Sequence, residues 1–222
     1  GAFSDIGAAF SAANPGATVV FNFAGSNQLA TQIEEGAPAD VFASANAAQM
    51  TVAVESGRVD AGATQLFVTN RLVVVVPADN PAGITALEDL AQPGVQMILA
   101  VTGVPVRQYT DEIVATFPAD FQAQFYANMV SEEENVRQVS AKVALGEADA
   151  GIVYTSDVTP DIARQVQQIA IPAAQNVVAT YPIAPLADAP APTLAQSFIN
   201  FVLSEDGQAI LARWGFGPPP AS

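Results

Sequence analysis

The apolar positions of the chain recur with two periods that alternate along it. Ala2, Phe3, Ile6, Ala9 and Phe10 fall at helical spacing, and Asn14-Pro15-Gly16 closes that helix with a turn. Residues 18–23, TVVFNF, are β-branched and aromatic and predict a strand. The small polar turn Ala24-Gly25-Ser26-Asn27 leads into a helix with Leu29 and Ile33, which stops at Gly36-Ala37-Pro38-Ala39. Residues 40–44 predict a second short strand, and 47–56 a further helix. Residues 66–77 read as one long strand whose five-residue apolar core is expected to be buried on both faces. After the turn at 79–83 the pattern predicts a helix at 85–91, a strand at 97–101 and a helix at 106–117. A helix at 139–145 and a strand at 151–154 follow. Strand patterns at 177–179 and 181–184 precede a helix pair over 193–214, broken near Glu205-Asp206-Gly207, and the tail from Gly217 is expected to fray.

Strand–helix–strand order with short connections predicts an α/β fold with parallel strands covered by helices. Two such units are expected. Residues 1–80 and 181–222 would form the first lobe and 81–180 the second, since the last strand and helices have no other sheet to complete. Ligands in such folds sit where strand ends face a cleft between the lobes.

Composition narrows the chemistry. The chain has 222 residues, half of them hydrophobic, enough for a sizeable core. Acidic residues outnumber basic ones 22 to 7, for a net charge of −15, and Lys142 is the only lysine. Neither nucleic-acid binding nor a basic membrane patch fits that balance. The chain has no Cys and no His, which removes thiol nucleophiles, histidine bases and nearly all zinc sites. No G-x-S-x-G elbow, P-loop or G-x-G-x-x-G is present. Glu132, Glu133 and Glu134 read as the acidic first turn of a helix, and Asp40 and Asp149 as caps or arginine partners. Gly215-Phe216-Gly217 reads as a chain end. What recurs instead is the small or hydroxyl-bearing turn at a helix start: Gly25-Ser26-Asn27, Ser44-Ala45-Asn46, Val104-Pro105-Val106 and Glu134-Asn135-Val136-Arg137. Helix N-termini present free N–H groups and partial positive charge, so several aimed at one point could hold an anion without any formal cation.

The stretch Gln32-Ile33-Glu34-Glu35-Gly36-Ala37-Pro38-Ala39-Asp40-Val41-Phe42-Ala43-Ser44-Ala45 resembles the signature of molybdate-binding periplasmic proteins of ABC transporters. Gly103-Val104-Pro105-Val106 with Tyr109, then Glu134-Asn135-Val136-Arg137, Gly151-Ile152-Val153-Tyr154 with Ser156-Asp157, and the closing ILARWGF at 210–216 match that family in order, so the resemblance covers nearly the whole chain. It implies a type II periplasmic binding protein fold, two αβ lobes with the ligand cleft between them, and capture of molybdate or tungstate. Carried over by position, Ser26 would offer its hydroxyl and N–H, Ala45, Val106 and Val136 backbone N–H groups, and Tyr154 its phenol. No cofactor is implied. The expected partners are the permease subunits of an ABC importer, the expected location is periplasmic or extracytoplasmic, with a lipid anchor left open, and the expected state is a monomer.

A donor-only set suits a tetrahedral dianion, rejects protonated phosphate for want of an acceptor, and must separate sulfate by cavity size. The alternatives are a binder of sulfate or another oxyanion, and a hydrolase using Ser26 with a carboxylate. In the family, a first strand ending in a small-hydroxyl motif precedes the opening helix, whereas this sequence starts after that motif. The strands at 18–23 and 40–44 are therefore expected to lie two strand spacings apart and not to pair directly.

Overall fold

The computed structural model describes residues 1–220. In chain order the elements are α1 (Ala2–Ala13), α2 (Ser26–Glu34), β1 (Val41–Ala43), α3 (Ala47–Glu55), β2 (Gln65–Pro77), β3 (Met97–Ala100), α4 (Pro105–Val114), α5 (Ala119–Ala127), β4 (Met129–Glu133), α6 (Val136–Ala144), β5 (Ala150–Tyr154), β6 (Val166–Ala170), β7 (Val178–Pro185), α7 (Pro192–Leu203) and α8 (Glu205–Arg213). The chain divides into two compact units, Gly1–Asn70 with the chain from Ala179 onward, and Arg71–Val178. It passes from one to the other within β2 and returns at the start of β7.

In the first unit β1 pairs antiparallel with β7, Phe42 opposite Ala184. Ala30 and Ile33 of α2, Met50 and Ala53 of α3, Phe42 and Ala184 form one buried cluster. A second group of helices gathers around aromatic side chains. Phe10 of α1 meets Phe198 and Phe201 of α7 edge to face, at centroid distances of 5.3 and 5.8 Å. The Trp214 indole at the end of α8 donates to Asp5 of α1. Gly7 lets α1 lie close on the following segment, since a Cβ there would stand 2.6 Å from the Phe21 ring.

The second unit is a mixed sheet in the order β6-β2-β5-β3-β4. β3 runs parallel to β4 and β5, whereas β2 is antiparallel to β5 and β6. Every residue of β3 and β5 is buried, as are Leu72 to Val76 of β2. The burial expected of the long strand is therefore present, but all-parallel pairing is not. Among the described residues no helix is long and apolar enough to cross a membrane.

Other expectations are corrected. Residues 18–23 join no ladder. Their composition suits a strand, but a strand exists only through a paired neighbour. The helix expected at 85–91 is a 3₁₀ turn, Leu87–Ala91, held by the Asp89 carboxylate accepting the Thr85 and Ala86 N–H groups. The two strand patterns at 177–184 are the single strand β7, while α5 and β6 fall where no element was predicted. Glu132 and Glu133 lie in β4 rather than in a helical turn, where Glu132 meets Arg107 and buried Glu133 meets Lys142 at 2.6 Å. The tail is docked as far as Pro218: Thr69 and Gly217 exchange backbone hydrogen bonds, and the Thr69 hydroxyl donates to the Pro218 carbonyl. Asp40 and Asp149 each accept one backbone N–H, from Ala191 just before α7 and from Gln96 just before β3.

Candidate functional site

In the first unit the sequence brings two of the expected site residues into contact across nineteen positions. Ser26 opens α2, with Gly25 as its extended cap and the Gly25 N–H donating to Gln28. Ala45 follows β1 in the turn that starts α3. The Ala45 N–H donates to the Ser26 hydroxyl oxygen at 3.0 Å. The turn that presents Ala45 is fixed from both sides. The buried Ser44 hydroxyl donates to the Asn46 carbonyl, and the Asn46 side chain caps α3 by accepting the Gln49 N–H. Ser44 and Asn46 are thus supporting residues that the turn chemistry alone flagged as caps.

In the second unit the remaining three residues sit at element ends. Val106 is the second residue of α4, after Val104 as cap and Pro105 in the first turn. Val136 is the first residue of α6, capped by Asn135, whose side chain accepts the Gln138 N–H. At these positions a backbone N–H has no acceptor within its own helix. Tyr154 ends β5, buried, its ring edge-on to Tyr109 of α4 at 6.5 Å between centroids. Gly151 allows α6 to approach β5, because a Cβ there would lie 2.7 Å from the Val139 side chain. α4 is anchored by Arg107, which pairs with Asp111 and Glu132, donates to the Ala100 carbonyl and lies over the Tyr126 ring. Burial and the hydrogen bond to Asp111 hold the Tyr126 phenol protonated well above its ordinary range.

Asp157 is a residue whose role the sequence left unread. Its carboxylate accepts the Tyr154 N–H at 3.2 Å, closing the 3₁₀ turn Thr155–Asp157 that follows β5. Burial pushes this carboxyl up to about 7, against the pull of the Tyr154 N–H and of Arg137, the residue after Val136. The signal was present in the motif: an acid three residues after a strand-ending residue can reach back to its N–H, as in a capping box.

The family model described as bacterial extracellular solute-binding protein matches residues 1–217. The chain is 41% identical over 218 residues to the molybdate-binding protein ModA of Mycobacterium tuberculosis, covering 98% of this chain and 80% of that one. Among solved structures it resembles the periplasmic molybdate-binding protein of Azotobacter vinelandii, with TM-score 0.83 and 19% identity over 99% of this chain and 95% of that one. It also resembles the sulfate-binding protein SubI of Mycobacterium tuberculosis, with TM-score 0.87 and 21% identity over 98% and 82%. At those identities the two structures speak for the fold alone, the two-lobed one of periplasmic binding proteins. With nearly its whole length matched, the chain belongs to the bacterial extracellular solute-binding proteins, in their molybdate-binding, ModA-like branch.

Proposed function

We propose that this protein captures molybdate or tungstate outside the cytoplasm and delivers it to the permease subunits of an ABC importer, acting as a monomeric binding component. The anion is held by the Ser26 hydroxyl and N–H, the backbone N–H groups of Ala45, Val106 and Val136, and the Tyr154 phenol. Hydrogen bonds to a charged acceptor are the strong kind, so a preorganised set of neutral donors can hold a dianion without a cation. The observation that carries the reading is the Ser26–Ala45 hydrogen bond. It puts a hydroxyl and an N–H from distant parts of the chain at one point, with the hydroxyl oxygen accepting from that N–H and the hydroxyl keeping its own proton to donate. A hydrolytic role for Ser26 has no such support, since the partner of its oxygen is an N–H donor and not a base.

The test is a thermal-shift panel. Molybdate and tungstate should each raise the melting temperature, as any ligand of the native state does by mass action. Sulfate and phosphate at the same concentration should not. An equal shift with sulfate would replace this reading with that of a general tetrahedral-oxyanion binder.

A further inference from the structure

Tyr109 belongs to the motif that begins at Gly103, yet the proposed set of anion donors leaves it without a role. It lies within α4, three residues after Val106, so the two occupy one face of the helix a turn apart. Val106 and Tyr109 are both buried, and α4 packs on β5 within the second unit. There the Tyr109 ring meets the Tyr154 ring edge to face, at 6.5 Å between centroids and 74° between planes. The helix that carries Tyr109 is itself fixed. Arg107 donates to the Ala100 carbonyl and pairs with Asp111 and Glu132, and the Thr110 hydroxyl donates to the Val106 carbonyl at 2.8 Å.

The backbone of Tyr154 is held independently of that contact. Tyr154 pairs with Leu72 at the end of β5, and its N–H donates to Asp157. What is left to set is the rotation of the side chain about its two torsions. The phenol oxygen stands at the far end of that side chain, so a small rotation moves it more than any other atom of the ring. A hydrogen bond works over a range of about half an ångström in donor–acceptor distance. The packing around the ring therefore decides whether the oxygen stays within reach of one acceptor. We infer that Tyr109 is a positioning residue of the anion site, whose ring sets the angle of the Tyr154 side chain and so places the phenol relative to the Val106 N–H on the same fixed helix. The inference rests on the proposed role of Tyr154 as a donor. A side chain already ordered by its neighbour loses no rotamer freedom when the anion arrives, which is the gain from preorganisation. The contact is made by the ring, so phenylalanine at 109 preserves it and leucine does not.

The experiment is a double-mutant cycle on the full chain, read as the Kd for molybdate by calorimetric titration, with the Tm of each ligand-free protein to show that it is folded. Tyr109→Leu should weaken binding by roughly 5- to 10-fold, a share of the worth of the phenol hydrogen bond. Tyr109→Phe should restore the affinity to within about twofold of the parent. In the Tyr154→Phe protein, which has no phenol to place, Tyr109→Leu should change Kd by less than about twofold. A loss of the same size in both backgrounds would overturn the inference and make Tyr109 a residue of the core only. A phenylalanine variant as weak as the leucine one would also overturn it, by placing the effect in the Tyr109 hydroxyl. If Tyr109→Leu does not fold, Tyr109→Met, a more adaptable side chain, carries the same cycle. An unchanged Kd for Tyr154→Phe alone would remove the phenol from the proposed donors and this inference with it. A weakened Tyr154→Phe with additive losses would remove this inference and leave the proposed donors standing.

Discussion

Asp157 offers a stability test that needs no ligand. In the unfolded chain its carboxyl titrates near 3.8, and in the folded protein burial raises this to about 7. Between those values the folded protein keeps a proton that the unfolded chain has lost. The contribution of this group to stability therefore falls as pH rises through that window and is constant above it. At about 1.4 kcal/mol per pH unit the full penalty is roughly 4 kcal/mol. Relaxation and water access around the ionised group bring the expectation down to on the order of 1–3 kcal/mol. Asp157→Asn removes the titration and keeps an oxygen to accept the Tyr154 N–H. Urea melts of the ligand-free protein at pH 4 and pH 8 should show variant and parent nearly equal at the lower pH. At the higher pH the variant should be more stable by that amount. Taking the difference between the two proteins cancels all other titrating groups. A difference that stays constant from pH 4 to pH 8, or that favours the parent more as pH rises, would show that Asp157 ionises in the folded protein at an ordinary pH.

Ser26→Ala should weaken molybdate binding by roughly 10- to 100-fold, the worth of a hydrogen bond to a charged acceptor. Calorimetric titration checks it, and an unchanged Kd would remove Ser26 from the site. Tyr154→Phe should weaken binding by a similar factor, with Tm in the absence of ligand held within a few degrees because the ring still packs on Tyr109. Unchanged affinity there would make Tyr154 a core residue only. Gly151→Ala should push α6 off β5, since the added Cβ meets Val139 at 2.7 Å and the Ile98 carbonyl at 3.2 Å. Overpacking of this kind costs about 1–3 kcal/mol. A melting curve identical to the parent's would mean that α6 shifts without cost.

How much could be read from the sequence depended on the distance over which each feature is decided. Helix starts were legible because caps act within three or four residues: Asn46 and Asn135 announce α3 and α6, and Ser204 ends α7 and caps α8 at the break seen near Glu205. The buried strands β3 and β5 were legible as short apolar runs. β6 was not, because VQQIA places polar residues on a strand that is defined only by its pairing with β2. β4 was masked by its own acids, as Glu132 and Glu133 look solvated until Arg107 and Lys142 reach them from other elements.

The proposed site shows the same limit in sharper form. Ala45, Val106 and Val136 bring no chemistry in their side chains, and any residue but proline could supply their N–H groups. Periodicity and caps could say that a helix begins beside each of them, and the structure agrees at α3, α4 and α6. Nothing local could propose that these ends act together. That step came from the resemblance, and only the Ser26–Ala45 hydrogen bond gives part of it a direct geometric counterpart. A site made of side chains advertises itself through residue type. A site made mainly of backbone donors has only position to show, and position is what folding supplies. In this chain the informative residues are therefore the ones that fix position: Asn46 and Asn135 as caps, Gly151 as the close approach of α6, and Asp157 as the clasp on the Tyr154 backbone.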